Sequence, residues 1–133
     1  MFWLVFLSTF FIDQLTKLLA GSYFEVVINQ GISFSWFSRV PVIIINFVLL
    51  VSALVLFFVL KKEWQRHLVL SGLFWAGVVS NLVDRILLGG VTDWLPMPFF
   101  EITNNLADIV IGVALLGILI KEIKAHYGHQ HNS

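Results

Sequence analysis

Long apolar runs, separated by short polar stretches, make up most of this 133-residue chain. Four of the runs are close to the length that a helix needs to cross about 30 Å of hydrocarbon. They cover residues 2–20, 40–60, 67–88 and 105–121. In the second run Pro41 suits a helix start, because proline at the first helical position loses no intrahelical hydrogen bond. The pattern predicts an all-α polytopic membrane protein with four transmembrane helices.

The connection between the first two predicted helices has a different pattern. Residues 25–28 and 32–36 are rich in β-branched and aromatic side chains, and they flank the turn-compatible triplet Asn29-Gln30-Gly31. Gly31 can adopt the positive φ that a tight turn needs. We therefore expect a small extracytoplasmic β-hairpin or cradle here, with an ordinary interfacial loop as the alternative.

Composition narrows the class of protein further. Hydrophobic residues make up 59% of the chain and charged residues only 12%, which leaves too little polar surface for a soluble domain of this size. We expect a single membrane-embedded domain over residues 1–133. The formal net charge of zero gives a nucleic-acid partner no electrostatic support. The lack of cysteine in the sequence excludes disulfides, thiolate metal sites and a cysteine nucleophile.

The basic residues orient the predicted helices. Five of the eight lie in the connection between the second and third helices or in the C-terminal tail: Lys61, Lys62, Arg66, Lys121 and Lys124. Because basic residues concentrate on the cytoplasmic side of a membrane, we expect that side to carry both termini. Six of the eight carboxylates then lie on or near the opposite face: Asp13, Glu25, Asp84, Asp93, Glu101 and Asp108.

Two groups of polar residues lie within the predicted helices. Asp13 and Lys17 are four residues apart on one helical face and can pair, which lowers the free energy needed to bury either charge. The favoured interpretation is an ion pair at a helix end, with the lysine extending to the interface, ahead of direct chemistry. Asn81, Asp84 and Arg85 form a polar face at the end of the third helix. We expect Asp84 and Arg85 to form a structural ion pair.

Two further carboxylates, Asp93 and Asp108, have no cation nearby in the sequence. The polar neighbours of Asp108 within one helical turn are Asn104 and Asn105, and neither can neutralise its charge. A loop over residues 91–104 that folds back over the fourth helix would bring the two carboxylates together. Two carboxylates in close contact cannot both ionise cheaply, so one stays charged and the other keeps its proton. Such a pair can add water to an amide bond.

Other interpretations of these carboxylates stay open on geometry alone. Asp93 could be an exposed loop aspartate, and Asp108 a proton or ion site facing the helix bundle. A small four-helix carrier or channel subunit that uses Asp13 and Asp108 as intramembrane proton or cation sites accounts for buried carboxylates equally well. It does not account for the concentration of acidic residues at the outer face.

Five ordered motifs give the sequence a resemblance to a known family. They are DQLTK from Asp13, NQGISFS from Asn29, SNLVDR from Ser80, GGVTDW from Gly89 and NNLADIVI from Asn104. In this order, and placed on a four-helix membrane protein, they resemble lipoprotein signal peptidase, the bacterial signal peptidase II. The motifs span residues 13–111, which is most of the chain.

The resemblance implies an aspartyl endopeptidase of the bacterial inner membrane, without a cofactor or metal. Its expected partners are membrane lipids and prolipoproteins, whose signal peptide it would remove just before a cysteine carrying diacylglycerol, and we expect a monomer. Asp93 and Asp108 match the family's two catalytic aspartates. The supporting or substrate-binding positions match Asp13, Lys17, Asn29, Gly31, Asn81, Asp84, Arg85 and Asn105. The family also has four helices, a small outer β-sheet cradle and cytoplasmic termini.

The sequence departs from the family's pattern in three places. Ser80 stands where a glycine usually precedes the asparagine of the third motif, and Asn104 stands where a phenylalanine usually precedes the asparagine of the last. The connection from Lys17 to Asn29 is also short, so that the cradle is expected to be trimmed. These departures bear on substrate range and efficiency more than on reaction type, while a catalytically inactive scaffold of the same fold stays an alternative.

Overall fold

The computed structural model describes residues 1–30, 41–97 and 102–130, with the side chains of residues 42, 46 and 126–130 left aside. The described chain is mostly helical. Its helices are α1 (Phe2–Ala20), α2 (Val42–Val59), α3 (Lys61–Arg66), α4 (Leu68–Leu88) and α5 (Leu106–Gln130). Its strands, each of three residues, are β1 (Val27–Asn29), β2 (Val91–Asp93), β3 (Leu95–Met97) and β4 (Ile102–Asn104).

Three of the four predicted helices match α1, α2 and α4 to within two residues at either end. The fourth, which was predicted to end at residue 121, continues as α5 to Gln130. The added turns contain Glu122 and Lys124, which are good helix formers but are too polar to continue an apolar run. The apolar pattern therefore underestimates the length of this helix.

The connection at residues 61–66 is the short helix α3 rather than a loop, and Trp64 gives the reason. Its side chain is buried in a core cluster with Phe74, Ala114 and Ile118. Its indole nitrogen also donates a hydrogen bond to the Leu56 carbonyl at 3.4 Å. Burial of this large ring anchors α3 against α4 and α5, because a buried aromatic side chain stabilises the folded protein by a few kcal/mol.

Within the described ranges, α1 and α4 are long and apolar enough to cross a membrane by length and composition. The apolar part of α2, Ile43–Val59, is shorter. Large hydrophobic side chains are exposed along α1 and α2, among them Trp3, Phe11, Phe47 and Phe58. Such an apolar surface is typical of helices that face lipid. The count of four transmembrane helices stays a prediction.

Helix α4 lies between α1 and α5 and packs against both. The contact with α5 is close at Gly77, where an added Cβ would lie 2.6 Å from the Ala107 carbonyl oxygen and 2.7 Å from Ile111 Cγ1. Small residues at a helix crossing let the two backbones approach each other, as is common between membrane helices. This crossing brings the last turns of α4 beside the first turns of α5.

The four strands form two antiparallel pairs that follow the ends of the helices. Strand β1 pairs with β2, with Val27 opposite Asp93 and Asn29 opposite Val91. Strand β3 pairs with β4, with Leu95 opposite Asn104. The first arm of the predicted hairpin is therefore a strand, but its described partner is β2, from the next connection. The second predicted arm, residues 32–36, and the turn residue Gly31 lie outside the described residues.

The close approach of α4 and α5 leads to a prediction at Gly77. Gly77→Ala is expected to push the helices apart and to destabilise the protein by about 1–3 kcal/mol, the usual effect of overpacking. The matched control is Gly112→Ala on α5, where an added Cβ meets nothing within 4 Å. The control should leave the unfolding temperature in detergent unchanged or raise it, because alanine favours a helix over glycine. Equal unfolding temperatures for both variants would contradict the close approach.

Candidate active site

A cavity of about 370 Å³ opens between α2, α4, α5 and the β1–β2 pair. Most of its polar lining comes from the end of α4, the start of α5 and the two strands, namely Asn29, Asn81, Arg85, Asp93 and Asp108, and α2 adds Ser52. One to three turns farther along the same helices the lining is apolar and includes Phe74, Val78, Ile111 and Leu115. Two carboxylates thus share one cavity with four other polar side chains and an apolar wall.

Asp93 is held in place by two side-chain amides. It ends strand β2 and is 2% exposed. Asn105 donates a hydrogen bond to its Oδ1 at 2.6 Å, and Asn29 donates to its Oδ2 at 2.9 Å. Asn29 reaches it from β1 as the diagonal neighbour across the strand pair, since Asn29 lies opposite Val91. Both carboxylate oxygens therefore accept an amide hydrogen bond.

These surroundings act on the ionisation of Asp93 in opposite directions. Burial raises the pKa of its carboxyl group above the ordinary value, because desolvation penalises the charged form. The hydrogen bonds from Asn105 and Asn29 and the positive charges of Lys17 and Arg85 lower the pKa again. The net result is a raised pKa, and perturbed pKa values of this kind concentrate at functional sites.

Asn105 joins the two carboxylate residues. It precedes the first residue of α5, and its Oδ1 accepts the backbone N–H of Asp108 at 2.9 Å. This is the bond by which asparagine caps a helix N-terminus. Because the amide oxygen is engaged in the cap, its nitrogen is the atom that faces Asp93. One fully buried side chain thus starts α5 and fixes Asp93 relative to Asp108.

Asp108 is held in a similar way from α4. Asn81 donates a hydrogen bond from its side-chain nitrogen to Asp108 Oδ1 at 2.6 Å. The other end of the same amide accepts a hydrogen bond from Lys17 Nζ at 3.0 Å. Since an ammonium group can only donate, the amide oxygen must face Lys17 and the nitrogen must face Asp108. Lys17 therefore sets the direction of the hydrogen bond that Asp108 receives.

Lys17 itself is buried between two carboxylates. Its Nζ lies 2.8 Å from Asp13 Oδ2 and 3.0 Å from Asp84 Oδ2. The predicted pair with Asp13 is confirmed, but the prediction that the lysine extends to the interface was wrong, because only 6% of the residue is exposed. Asp84 forms its ion pair with Lys17 rather than with the predicted neighbour Arg85. The cation that pairs with Asp84 therefore comes from α1, whereas the sequence analysis expected it from α4, the helix of Asp84 itself.

The two carboxylates around Lys17 also hold backbone groups near the cavity. Asp13 Oδ1 accepts the N–H of Ala107 in the first turn of α5, at 2.8 Å. Asp84 Oδ2 accepts the N–H of Thr92 in strand β2, at 3.0 Å. Ala107 directly precedes Asp108 in the sequence, and Thr92 directly precedes Asp93. Each carboxylate thus fixes the backbone one residue before a candidate catalytic aspartate.

Gln14 and Ser80 complete this network, although the sequence analysis gave Gln14 no role and treated Ser80 only as a departure from the family's pattern. Ser80 Oγ donates to Asp13 Oδ2 at 2.6 Å and accepts from Gln14 Nε2 at 2.8 Å. The same amide nitrogen donates to Asp84 Oδ1 at 2.9 Å. Gln14 lies inside the DQLTK motif and Ser80 begins SNLVDR, so the sequence places both of them close to charged residues. Their contacts cross between α1 and α4, and no spacing within one helix predicts them.

Arg85 brings a positive charge to the same cavity. It lines the cavity wall, and its charge interacts with those of Asp108, Asp93 and Asp84. Its Nη1 donates to the Asn81 carbonyl at 3.4 Å. Across the described ranges, no group of three or more His, Cys, Asp or Glu side chains could hold a metal ion. The chemistry that this arrangement can perform is proton transfer between carboxyl groups and water.

The sequence matches known proteins over nearly its whole length. Residues 5–124 match the family model for signal peptidase (SPase) II, Peptidase_A8. The chain is 31% identical to a lipoprotein signal peptidase of Campylobacter jejuni subsp. jejuni serotype O:6, over 92% of this chain and 86% of the relative. It is 34% identical to a lipoprotein signal peptidase of Dehalococcoides mccartyi strain BAV1, over 79% of this chain and 70% of the relative.

The fold also matches that of a solved protein. A bacterial membrane enzyme superposes with a TM-score of 0.73 and 24% sequence identity, over 92% of this chain and 87% of that one. At this level of identity the likeness supports the fold, which is that of a helical membrane protein.

The burial of Lys17 between Asp13 and Asp84 leads to a prediction about stability. Lys17→Met keeps the length of the side chain but leaves two buried carboxylates without their cation, and should destabilise the protein by about 3–5 kcal/mol. The double variant Lys17→Met/Asp84→Asn removes one of those charges and should recover part of the loss. Lys62→Met removes an exposed lysine and serves as the control. Thermal unfolding in detergent measures all three; a Lys17→Met variant as stable as the control would contradict the buried pair.

Proposed function

Because the chain belongs to the signal peptidase II family, we propose that it cleaves lipoprotein signal peptides by an aspartic mechanism that uses Asp93 and Asp108. The function itself, that of a lipoprotein signal peptidase, follows from the family and from the relatives that share most of its length. The family assignment disfavours the ion carrier as an alternative. The proposal concerns the catalytic groups and the way they act.

One observation carries the catalytic assignment. Asp93 and Asp108 line the same cavity although fourteen residues separate them in sequence, and each accepts a hydrogen bond of 2.6 Å from an asparagine. The negative charges of Asp93 and Asp108 repel each other across the cavity. We therefore propose that the pair holds a single proton. This is the state that an aspartic hydrolase needs before it binds substrate.

The reaction can be written from these two groups and a water molecule. The ionised carboxylate takes a proton from water as its oxygen attacks the scissile carbonyl carbon, and the protonated carboxyl donates its proton to the carbonyl oxygen. The resulting tetrahedral diol collapses when the C–N bond breaks and the leaving nitrogen accepts a proton from the first aspartate. The second aspartate recovers its proton from a hydroxyl of the diol. A carboxylic acid and an amine leave, and the pair again holds one proton.

We assign the base to Asp93 and the acid to Asp108. Two amide donors, Asn29 and Asn105, stabilise the anion of Asp93, whereas Asp108 accepts one side-chain amide, from Asn81. Hydrogen bonds donated to a carboxylate favour its charged form, so the charge of the pair belongs mainly on Asp93. Asp108 then keeps the proton that the substrate carbonyl needs.

The charge of Arg85 supports the same step. It interacts with both aspartates, and its side chain lies in the cavity wall. A fixed positive charge beside the reacting group lowers the free energy of negative charge that develops on the carbonyl oxygen. We assign Arg85 to this electrostatic role rather than to proton transfer, because guanidinium keeps its protons throughout the working pH range.

The apolar wall of the cavity supports the proposed substrate. Phe74, Val78, Ile111 and Leu115 continue the cavity away from the two aspartates. A signal peptide and a diacylglyceryl-modified cysteine are both strongly apolar, and an apolar cavity wall can pack against them without burying an unsatisfied polar group. We propose that cleavage occurs just before the lipidated cysteine. The enzyme would act as a monomer in the inner membrane, with cytoplasmic termini and with the aspartates near the outer leaflet.

The catalytic assignment predicts the effect of removing either carboxylate. Asp93→Asn and Asp108→Asn should each lower kcat by at least about a thousandfold, since loss of either group removes proton transfer at one stage of the reaction. Cleavage of a diacylglyceryl prolipoprotein in proteoliposomes gives the measurement, and thermal unfolding shows whether each variant is folded. Glu25→Gln, which changes an exposed carboxylate between α1 and β1, is the control and should keep full activity.

The outcomes separate the alternatives. Near-normal cleavage by either folded asparagine variant would overturn the catalytic pair. Failure of the unchanged protein to cleave a substrate that a related enzyme cleaves in parallel would favour an inactive scaffold.

The hydrogen bond from Asn29 leads to a prediction about pH. It lowers the pKa of Asp93, which burial has raised, so Asn29→Ala should raise that pKa further. A base works only when ionised, so kcat falls as the pH drops through this pKa. The acidic limb of the kcat profile should therefore move to higher pH in Asn29→Ala. Gln30→Ala, at an exposed neighbouring position, should leave the limb in place. A shift toward lower pH would contradict the assignment of Asp93 as the base.

A further inference from the structure

We infer that Ser80 is a positioning residue for the reaction, because its hydroxyl group fixes Asp13 and through it the first turn of α5, which carries Asp108. The inference rests on the proposed role of Asp108. Ser80 touches neither aspartate of the proposed pair directly through its hydroxyl, so it acts through other residues. Its effect is on geometry rather than on proton transfer.

The direction of the hydrogen bonds at Ser80 is determined by its partners. Ser80 is fully buried, and its Oγ lies 2.8 Å from Gln14 Nε2 and 2.6 Å from Asp13 Oδ2. The amide nitrogen of Gln14 can only donate, and a carboxylate can only accept. The single hydroxyl proton of Ser80 must therefore point to Asp13. A directed chain runs from Gln14 through Ser80 to Asp13.

This chain ends on the backbone beside Asp108. Asp13 uses its other oxygen, Oδ1, to accept the N–H of Ala107 at 2.8 Å. Ala107 lies in the first turn of α5 and directly precedes Asp108. A carboxylate that receives bonds on both oxygens cannot rotate without breaking one of them. The hydroxyl of Ser80 thus holds the orientation in which Asp13 caps α5.

The hydroxyl also affects how the ammonium group of Lys17 divides its hydrogen bonds between Asp13 and Asn81. Asp13 Oδ2 accepts from both Ser80 Oγ and Lys17 Nζ, and the same ammonium group donates to Asn81 Oδ1 at 3.0 Å. Without the hydroxyl, Lys17 Nζ is the one of these two donors that still contacts Asp13 Oδ2. The ammonium group is then drawn toward Asp13 and away from Asn81. Because Asn81 donates to Asp108, the second support of that aspartate weakens as well.

The test is a graded series at Ser80. Ser80→Cys keeps a weak donor, and Ser80→Ala removes the donor entirely. We expect kcat for a diacylglyceryl prolipoprotein to fall about threefold in Ser80→Cys and about tenfold or more in Ser80→Ala, since small misplacements of catalytic groups have large effects on rate. KM should stay within about twofold of the parent value, because the cavity lining is unchanged. The loss should therefore appear in kcat and not in KM.

Ser71→Ala is the matched control for loss of a buried serine from the same helix. Ser71 is 5% exposed and lies nine residues, or about 14 Å, before Ser80 along α4. Both alanine variants should lower the unfolding temperature slightly, but only Ser80→Ala should lower kcat. Equal kcat values for the two variants, measured well below either unfolding temperature, would overturn the inference.

Gln14→Leu is a second variant that tests the same inference if Ser80→Ala does not fold. It removes the distant donor of the chain at a half-buried position, and it should lower kcat about twofold to fivefold without changing KM. Unchanged kcat in both Gln14→Leu and Ser80→Cys would refute the positioning role. If Asp108→Asn is inactive while the Ser80 series is fully active, only this inference fails. If Asp108→Asn is active, the proposed catalytic pair fails as well.

Discussion

A single buried ammonium group links most of the elements that form the cavity. Lys17 of α1 contacts Asp13 on its own helix and Asp84 and Asn81 on α4. Through Asp13 the network reaches the first turn of α5, and through Asp84 it reaches strand β2. A buried charge is tolerated only when its surroundings satisfy it, so these groups must lie where the ammonium needs them. The same condition brings the two backbone segments that carry Asp93 and Asp108 to the cavity.

The side-chain amides of Asn81 and Asn105 fix the direction of the hydrogen bonds in this network. A side-chain amide has a donor end and an acceptor end, and a neighbour that can only donate determines which end faces it. For Asn81 that neighbour is Lys17, and for Asn105 it is the backbone N–H of Asp108. In both cases the donor end is left facing a carboxylate of the proposed pair. The hydrogen bonds at the two aspartates are therefore properties of the fold rather than of the aspartates alone.

Sequence patterns predicted the long helices and singled out Asp93 and Asp108 as candidate catalytic residues, but they missed contacts between elements. The pair of Asp13 and Lys17 was predictable because a spacing of four places both on one face of a helix. The ion pair of Lys17 with Asp84 was not, because it depends on how α1 and α4 are aligned. Strand pairing was missed for a similar reason: β1 and its partner β2 are separated by more than sixty residues. Ser80 looked like a simple departure from the family's glycine, and only its packing against α1 shows that its hydroxyl is used.

The amide hydrogen bonds around Asp93 and Asp108 fit the proton transfers that we propose for the pair. A salt bridge to Asp93 would stabilise its anion so strongly that the group could not accept a proton from water at neutral pH. An apolar environment would have the opposite effect, because it would keep both carboxyls protonated. Amide donors such as Asn29 and Asn105 fall between these limits, since they stabilise the charged form without neutralising it. The full positive charge of Lys17 instead contacts Asp13 and Asp84, which accept the backbone N–H groups of Ala107 and Thr92. The ammonium group thus pairs with carboxylates next to the proposed catalytic groups and not with those groups themselves.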